Sequence, residues 1–262
     1  MELKIFKVDA FTSRLFGGNP AGVLPLESWL PDETMQLIAM ENNLAETAFF
    51  VPSSDGFHIR WFTPKVEVEL CGHATLASAH VIFNHLGFQG EEIRFGSLSG
   101  PLRVFREKSR IMLDFPADPV DPAEPPEDLY KALGREPLLC YRGKTDYLLV
   151  YESRWEIESM KPDFGLLGKV DARGVIVTAP GQEVDFVSRF FGPQVGIDED
   201  PVTGSAHTTL IPYWSRQLAK NEMSARQLSA RGGFLLCRHK GNRVEIGGEA
   251  VTYLEGFIKV PL

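Results

Sequence analysis

The chain has 262 residues, enough for one large domain or two ordinary ones with a substantial core, and its 44% hydrophobic and 24% charged composition is that of a globular protein. A net charge of −8 argues against an electrostatic nucleic-acid binder, which needs a basic stripe, but leaves room for a locally positive cleft. Cys71, Cys140 and Cys237 are few, odd in number and far apart, no run suits a signal peptide or a membrane span, and the expectation is a cytoplasmic protein with reduced thiols.

In chain order, "LKIFKVDAF" predicts an opening strand over Leu3–Phe11. The glycines and Asn-Pro of "FGGNPAGV" read as a turn, with a strand resuming at Val23-Leu24. "LPDETMQLIAMENN" predicts a helix opened by Asp32 and Glu33 and ended by Asn42-Asn43. "ETAFFVP" and "FHIRWFTP" are strands, the first entered through Glu46 and the second closed by Pro64. "HATLASAHVIFNHLG" is the clearest helix, with Gly87 suited to its C-terminal cap. Three short strands follow in "EIRFGSLSGPLRVFREKSRIMLDFP", and the Pro- and acid-rich "PADPVDPAEPPED" reads as a linker. Beyond it come strands at "DYLLVY", "GVIVTA" and "VDFVSRFF", a helix over Ala206–Leu218, and a closing strand meander. The strands are mainly antiparallel and lack regular strand–helix alternation, so the fold class is α+β.

Two stretches echo each other. "IRWFTPKV" and "SRFFGPQV" align Arg60 with Arg189, Trp61 with Phe190, Phe62 with Phe191, Pro64 with Pro193 and Val66 with Val195. A Gly-opened helical run follows each, at Gly72 and at Gly204, with three more residues before the second. A self-similar series at half the chain length predicts two related halves, residues 1–117 and 118–262, with the last strand free to return to the first half.

A helix start offers unpaired N–H groups and the positive end of a dipole, and Gly lets a ligand approach the backbone. One such Gly could merely ease a turn, but two in register suggest a grip on a small anion, most simply a carboxylate. Near these starts stand His73, which alone would equally suit a surface histidine, and Asp200, fixed by Pro201 in an acid run that could otherwise be a solvated loop. Glu46 opens an apolar strand, where desolvation would raise a carboxyl pKa and make it a usable acid or base; otherwise it is a strand-edge charge. Its counterpart in the second half is Gly174. Cys71 precedes Gly72 and aligns with Thr203; it reads as a packed small residue more readily than as a base, and Cys140 and Cys237 as core. The histidines show no metal-ligand spacing, His80 and His85 being five apart and off one helical face, and no nucleotide-binding or nucleophile-elbow motif occurs.

Taken together, "DAFTSRLFGGNPAGV", "NNLAETAFF", "RWFTPKVEVELCGHATLASAH", "DEDPVTGSAH" and "IGGEAVTYLEG" resemble the phenazine-biosynthesis PhzF-like family, relatives of diaminopimelate epimerase. The resemblance implies two α+β halves, each a sheet wrapped around a central helix and related by a pseudo-twofold, with the active site between them. It implies Glu46 as general acid/base, with His73 and Asp200 in the catalytic set. Asn19, Gly72, His73, Gly204 and Ser205 would bind the substrate. Epimerases of this fold use two cysteines, whereas this chain has Cys71 and Thr203 at the two places.

The expectation is therefore an isomerase that needs neither cofactor nor metal and moves a proton between carbons of a small carboxylate. An amino-acid or hydroxy-acid epimerase using Cys71, and a non-catalytic carboxylate binder, are the alternatives. No nucleic-acid or membrane partner is expected, and a homodimer is compatible with the reading.

Overall fold

The computed structural model describes residues 1–260. The chain divides into two compact units: residues up to Asp114 together with those from Gly247 onward, and Phe115–Ile246.

The first unit opens with β1 (Glu2–Ala10) and β2 (Asn19–Pro25), followed by helix α1 (Asp32–Asn42), β3 (Glu46–Ser53), β4 (Gly56–Phe62) and the short β5 (Glu67–Val68). Helix α2 (Gly72–His85) precedes the meander β6 (Glu92–Ser97), β7 (Gly100–Glu107) and β8 (Arg110–Pro116). Strand β2 runs parallel to β3, with Ala21 opposite Glu46, and β3 runs antiparallel to β4, with Thr47 opposite Phe62. The expected turn at Asn19-Pro20 is instead already strand, because Asn19 and Pro20 pair with Ala10 and Asp9 of β1.

Burial explains the continuous apolar run of β3. Phe49 and Val51 pack with Met35, Ile38 and Ala39 of α1, while α2 lies against the strand as well. Helix α2 is buried almost all round, from His73 to Ala79 and again at Val81–Phe83. Its Ala, Ser and Thr residues suit a helix enclosed by its neighbours rather than half-exposed. At its end Leu86 N–H bonds the carbonyl of Val81, a widened last turn. The wider turn brings residues five apart together, so His80 and His85 both reach Thr252 Oγ1, at 3.0 and 2.8 Å, despite their off-face spacing.

The second unit continues with β9 (Asp121–Pro122), α3 (Glu127–Leu133), β10 (Leu139–Arg142), β11 (Asp146–Val150), and the short helices α4 (Arg154–Glu158) and α5 (Phe164–Leu167). Then come β12 (Gly174–Pro180), β13 (Phe186–Phe191), α6 (Gly204–Leu218), β14 (Glu222–Gln227), β15 (Gly233–His239) and β16 (Arg243–Gly248). The last strand, β17 (Ala250–Lys259), belongs to the first unit and pairs antiparallel with β1.

The second unit repeats the pairing of the first. Strand β11 runs parallel to β12, with Asp146 opposite Gly174, and β12 runs antiparallel to β13, with Val175 opposite Phe191. Glu46 and Gly174 therefore hold the same place in their ladders, as do Phe62 and Phe191. The aligned arginines keep the same bond too: Arg60 forks onto Glu67 through Nε and Nη2, both at 2.7 Å, and Arg189 forks onto Glu199 at 2.7 and 3.0 Å. The three extra residues of the second copy lie between Arg189 and Glu199, so the clamp survives the insertion. On one face of β11–β13, Leu149, Val175, Val177 and Phe191 pack with residues of α3, α4 and α5. Trp214 of α6 stacks on Phe186 of β13 at 5.6 Å and donates its indole N–H to Thr178 Oγ1.

The Pro- and acid-rich segment is not a free linker. Pro212 lies inside α6 and has no N–H for the carbonyl four residues back, Thr208. Asp118 N–H takes that carbonyl at 3.1 Å, and the Asp118 carboxylate accepts from Thr209 Oγ1 at 2.9 Å. Residues 121–122 then pair with β10, and α3 starts at Glu127. No helix of the described residues is long and apolar enough to cross a membrane.

Candidate active site

Three elements assemble the site residues of the first unit. Asn19 begins β2, Glu46 begins the adjacent parallel strand β3, and Cys71 is the extended N-cap residue of α2, so that Gly72 and His73 form its first turn. Thr75 stabilises that turn by donating its hydroxyl to the Cys71 carbonyl at 2.5 Å. By helix geometry the first N–H groups of α2 have no acceptor within the helix, as the anion reading requires.

His73 is buried, unlike the surface histidine left open above, and joins the other side chains. Asn19 Nδ2 lies 3.2 Å and Cys71 Sγ 3.5 Å from its Nδ1, while its Nε2 lies 3.3 Å from Glu46 Oε2. An amide nitrogen can only donate, so Nδ1 is an acceptor and the ring proton sits on Nε2, facing the carboxylate. Burial pulls the imidazole pKa down to about 3, so the ring is neutral at ordinary pH. Its Nε2–H is within ion-pair distance of Glu46 but not aligned for a hydrogen bond, which leaves a buried donor short of a well-placed acceptor. The Glu46 side chain itself is 14% exposed, so it is not the solvated strand-edge charge of the simpler reading.

Glu46, Cys71 and His73 are close enough to surround a cation. The imidazole, however, turns Nδ1 to the thiol and Nε2 to the carboxylate. Its two nitrogens thus face different groups, whereas metal ligands converge on one point.

In the second unit, Thr203 is the N-cap residue of α6, and Gly204 and Ser205 form the first turn. Asp200 is 8% exposed and accepts a 2.5 Å hydrogen bond from Thr203 Oγ1, so it is no solvated loop acid. The residue standing where the first unit has a thiol thus holds a carboxylate in place. His207 Nδ1 lies 2.8 Å from the Thr203 carbonyl, the part that Thr75 plays in the first unit, and burial lowers its pKa to about 4. Cys237 is buried as expected, and burial raises its pKa; Cys140 is only half-buried, with its thiol pushed up to about 11 mainly by burial.

Two polar groups here have no forerunner among the sequence expectations. Gln227, buried at the end of β14, accepts from the Thr203 N–H at 2.9 Å and donates to the Asp200 carbonyl and to Thr203 Oγ1, at 2.8 and 3.1 Å. Nothing in "SARQLSA" marks it. Arg173 donates to Ser205 Oγ at 3.0 Å and grips Asp146 with its other two nitrogens. A signal for Arg173 did exist: it directly precedes Gly174, the position aligned with Glu46.

Residues 8–256 match the family described as phenazine biosynthesis-like protein. The chain belongs to that family. A relative from Pseudomonas aeruginosa, named as an uncharacterized isomerase, is 53% identical over 261 residues, spanning 99% of this chain and 100% of the relative. The crystal structure of a PhzF-family phenazine biosynthesis protein from Enterococcus faecalis superposes with a TM-score of 0.97 at 46% identity, covering 99% of this chain and 100% of that one. A probable proline racemase from Agrobacterium radiobacter shares the fold alone, with a TM-score of 0.64 at 9% identity over 99% of this chain and 93% of that one. The PhzF-like, epimerase-type α+β fold is thereby established, and so is isomerase as the enzyme class.

Proposed function

We propose that this PhzF-family chain is a cofactor-independent isomerase that shifts a proton between carbons of a small carboxylate, with Glu46 as the general acid/base. The observation that carries the reading is the arrangement at Glu46: a mostly buried carboxylate beside a neutral imidazole whose N–H lacks an aligned acceptor. A substrate oxygen or nitrogen placed there would receive the His73 N–H while Glu46 takes a proton from the neighbouring carbon. Electron density released by that abstraction would be stabilised by the same N–H, and Glu46 would return the proton to a second carbon. Acid/base action of this kind contributes about 10²–10⁴-fold, and preorganised donors add more. Asn19 keeps the imidazole in the donating tautomer. Asp200, held by Thr203 and Gln227, is a further protonation-tuning group, and each helix start, Gly72-His73 in the first unit and Gly204-Ser205 in the second, is suited to a carboxylate.

Geometry weighs against Glu46 and Cys71 as the paired bases of an epimerase. Two bases on opposite faces of one carbon each sit about 3–3.5 Å from it, and so about 6–7 Å apart. Ligand atoms of Glu46 and Cys71 lie within 4.8 Å of each other. Cys71 is also engaged at His73 Nδ1 rather than standing apart.

The test is a screen of small carboxylates in deuterated water, followed by NMR. C–H exchange with double-bond migration, lost in Glu46→Gln, is the expected result. Stereochemical inversion that survives Glu46→Gln and disappears in Cys71→Ala would overturn it in favour of the epimerase, and the absence of any exchange across the panel would favour a binder.

A further inference from the structure

The second unit holds a polar arrangement that the proton-transfer chemistry does not use. Asp146, at the head of β11, is 2% exposed. A carboxylate so deeply placed needs a partner, and Arg173 supplies a two-pronged one through Nε and Nη2. The pairing is built into the sheet, because Arg173 directly precedes Gly174, which lies opposite Asp146 in the parallel ladder. Gly174 has no room for a side chain, since a Cβ would run into the Phe190 ring, and the Arg173 guanidinium lies 5.3 Å from the centre of that same ring. The arginine is thus fixed by a buried anion, an aromatic face and its backbone bond to the Thr145 carbonyl.

Its third nitrogen, Nη1, is the one that reaches Ser205 Oγ in the first turn of α6. Guanidinium cannot accept, so the serine oxygen accepts and its own proton must go elsewhere. A serine at this position would otherwise be free to turn its hydroxyl back onto the backbone. Held by Arg173, it presents its proton as a donor alongside the N–H groups that the helix start leaves without intrahelical acceptors. Because Asp146 neutralises the cation, the effect is one of orientation rather than of added charge.

We infer that Arg173 is the positioning residue for Ser205, fixing its hydroxyl as a donor to the bound carboxylate. This rests on the reading of the α6 start as a carboxylate site, and the experiment separates the two. Sodium acetate is titrated into ¹⁵N-labelled protein at ionic strength matched with sodium chloride, and the Gly204 and Ser205 amide shifts are followed in four chains: wild type, Arg173→Met, Ser205→Ala and the double variant. Acetate should move both amides in the wild type. Arg173→Met should weaken its binding about five- to tenfold, the net worth of one ordinary hydrogen bond. Ser205→Ala should do the same, and the double variant should bind no worse than Ser205→Ala alone. Arg173→Lys, which keeps the charge without the fork, should restore little. If removing the arginine strands Asp146 and the chain fails to fold, Arg173→Met combined with Asp146→Asn gives the same comparison without the buried charge. Wild-type affinity in Arg173→Met, or additive losses in the double variant, overturns the positioning role while leaving the carboxylate site intact. Wild-type Gly204 and Ser205 amides that ignore acetate overturn the carboxylate site itself, and the inference with it.

Discussion

At the head of β3 stands Glu46; at the same place in the ladder of β12 stands Gly174, with Arg173 just before it. The surroundings of the two positions are otherwise parallel. Each strand pairs in the same register with a strand carrying an arginine that forks onto a glutamate, and each unit has a helix that begins with Gly and is tied back to its N-cap carbonyl. The difference lies in a handful of side chains, Glu46, Cys71 and His73 against Gly174, Thr203 and Ser205. The first unit therefore holds a carboxylate and an imidazole suited to moving protons. The second holds hydroxyls and a fixed ion pair suited to orienting charge. The duplicated scaffold keeps what folds it and diverges at these few side chains.

The largest expected effect breaks the comparison at its centre. Glu46→Gln should reduce C–H exchange by about 10²–10⁴-fold while acetate still binds, as read by NMR. Acid titration sharpens the comparison next. His73 and His207 stay neutral in the folded chain down to about pH 3 and pH 4, whereas an unfolded histidine takes its proton near 6.5. Their folded pKa values lie below the unfolded one, so their contribution is fully present above pH 6.5 and is lost as pH falls toward 3–4. Each should add a slope of about 1.4 kcal/mol per pH unit in that window. Urea melts at several pH values should show the slope fall by about one proton's worth in His73→Asn and again in His207→Thr.

The two clamps give a smaller contrast. Arg189 also donates to the carbonyls of Ile157 and Met160, both at 2.9 Å, while Arg60 donates to the exposed Asp32 and lies over the Trp29 ring. Arg189→Met should cost about 2–3 kcal/mol by chemical denaturation and Arg60→Met about 1 kcal/mol. Smallest of all, Cys71→Ala should leave exchange within about threefold of wild type, since a thiol donates only weakly to the ring it touches. A loss as deep as that of Glu46→Gln would reverse the assignment of roles within the first unit.

Much of this was legible in the residues. Aligning the strands upstream of the echoed "IRWFTPKV" and "SRFFGPQV" already placed Glu46 against Gly174, and the ladders adopt that alignment. Glu46, His73 and Asn19, each singled out in the sequence, meet within one unit. What stayed hidden depends on contacts between residues distant in sequence. Gln227 reaches Asp200 and Thr203 from a strand without a periodic signature, and Arg173 has meaning only beside Asp146. The Pro- and acid-rich segment misled because composition reports what a stretch does alone, and Asp118 is held by a carbonyl that Pro212 leaves open.

That open carbonyl has a consequence for how the chain reaches its structure. A helix normally satisfies its interior carbonyls by local winding, in the fastest events of folding. Helix α6 cannot do so at Thr208, and its missing bond comes from a residue ninety positions earlier. Its middle turn is thus completed only when that distant segment docks, which ties a local event to a long loop closure. An excised peptide spanning Pro201–Lys220 should be poorly helical in water, and in native-state hydrogen exchange the Asp118 amide should open together with the core of α6 rather than with the surface loops around it.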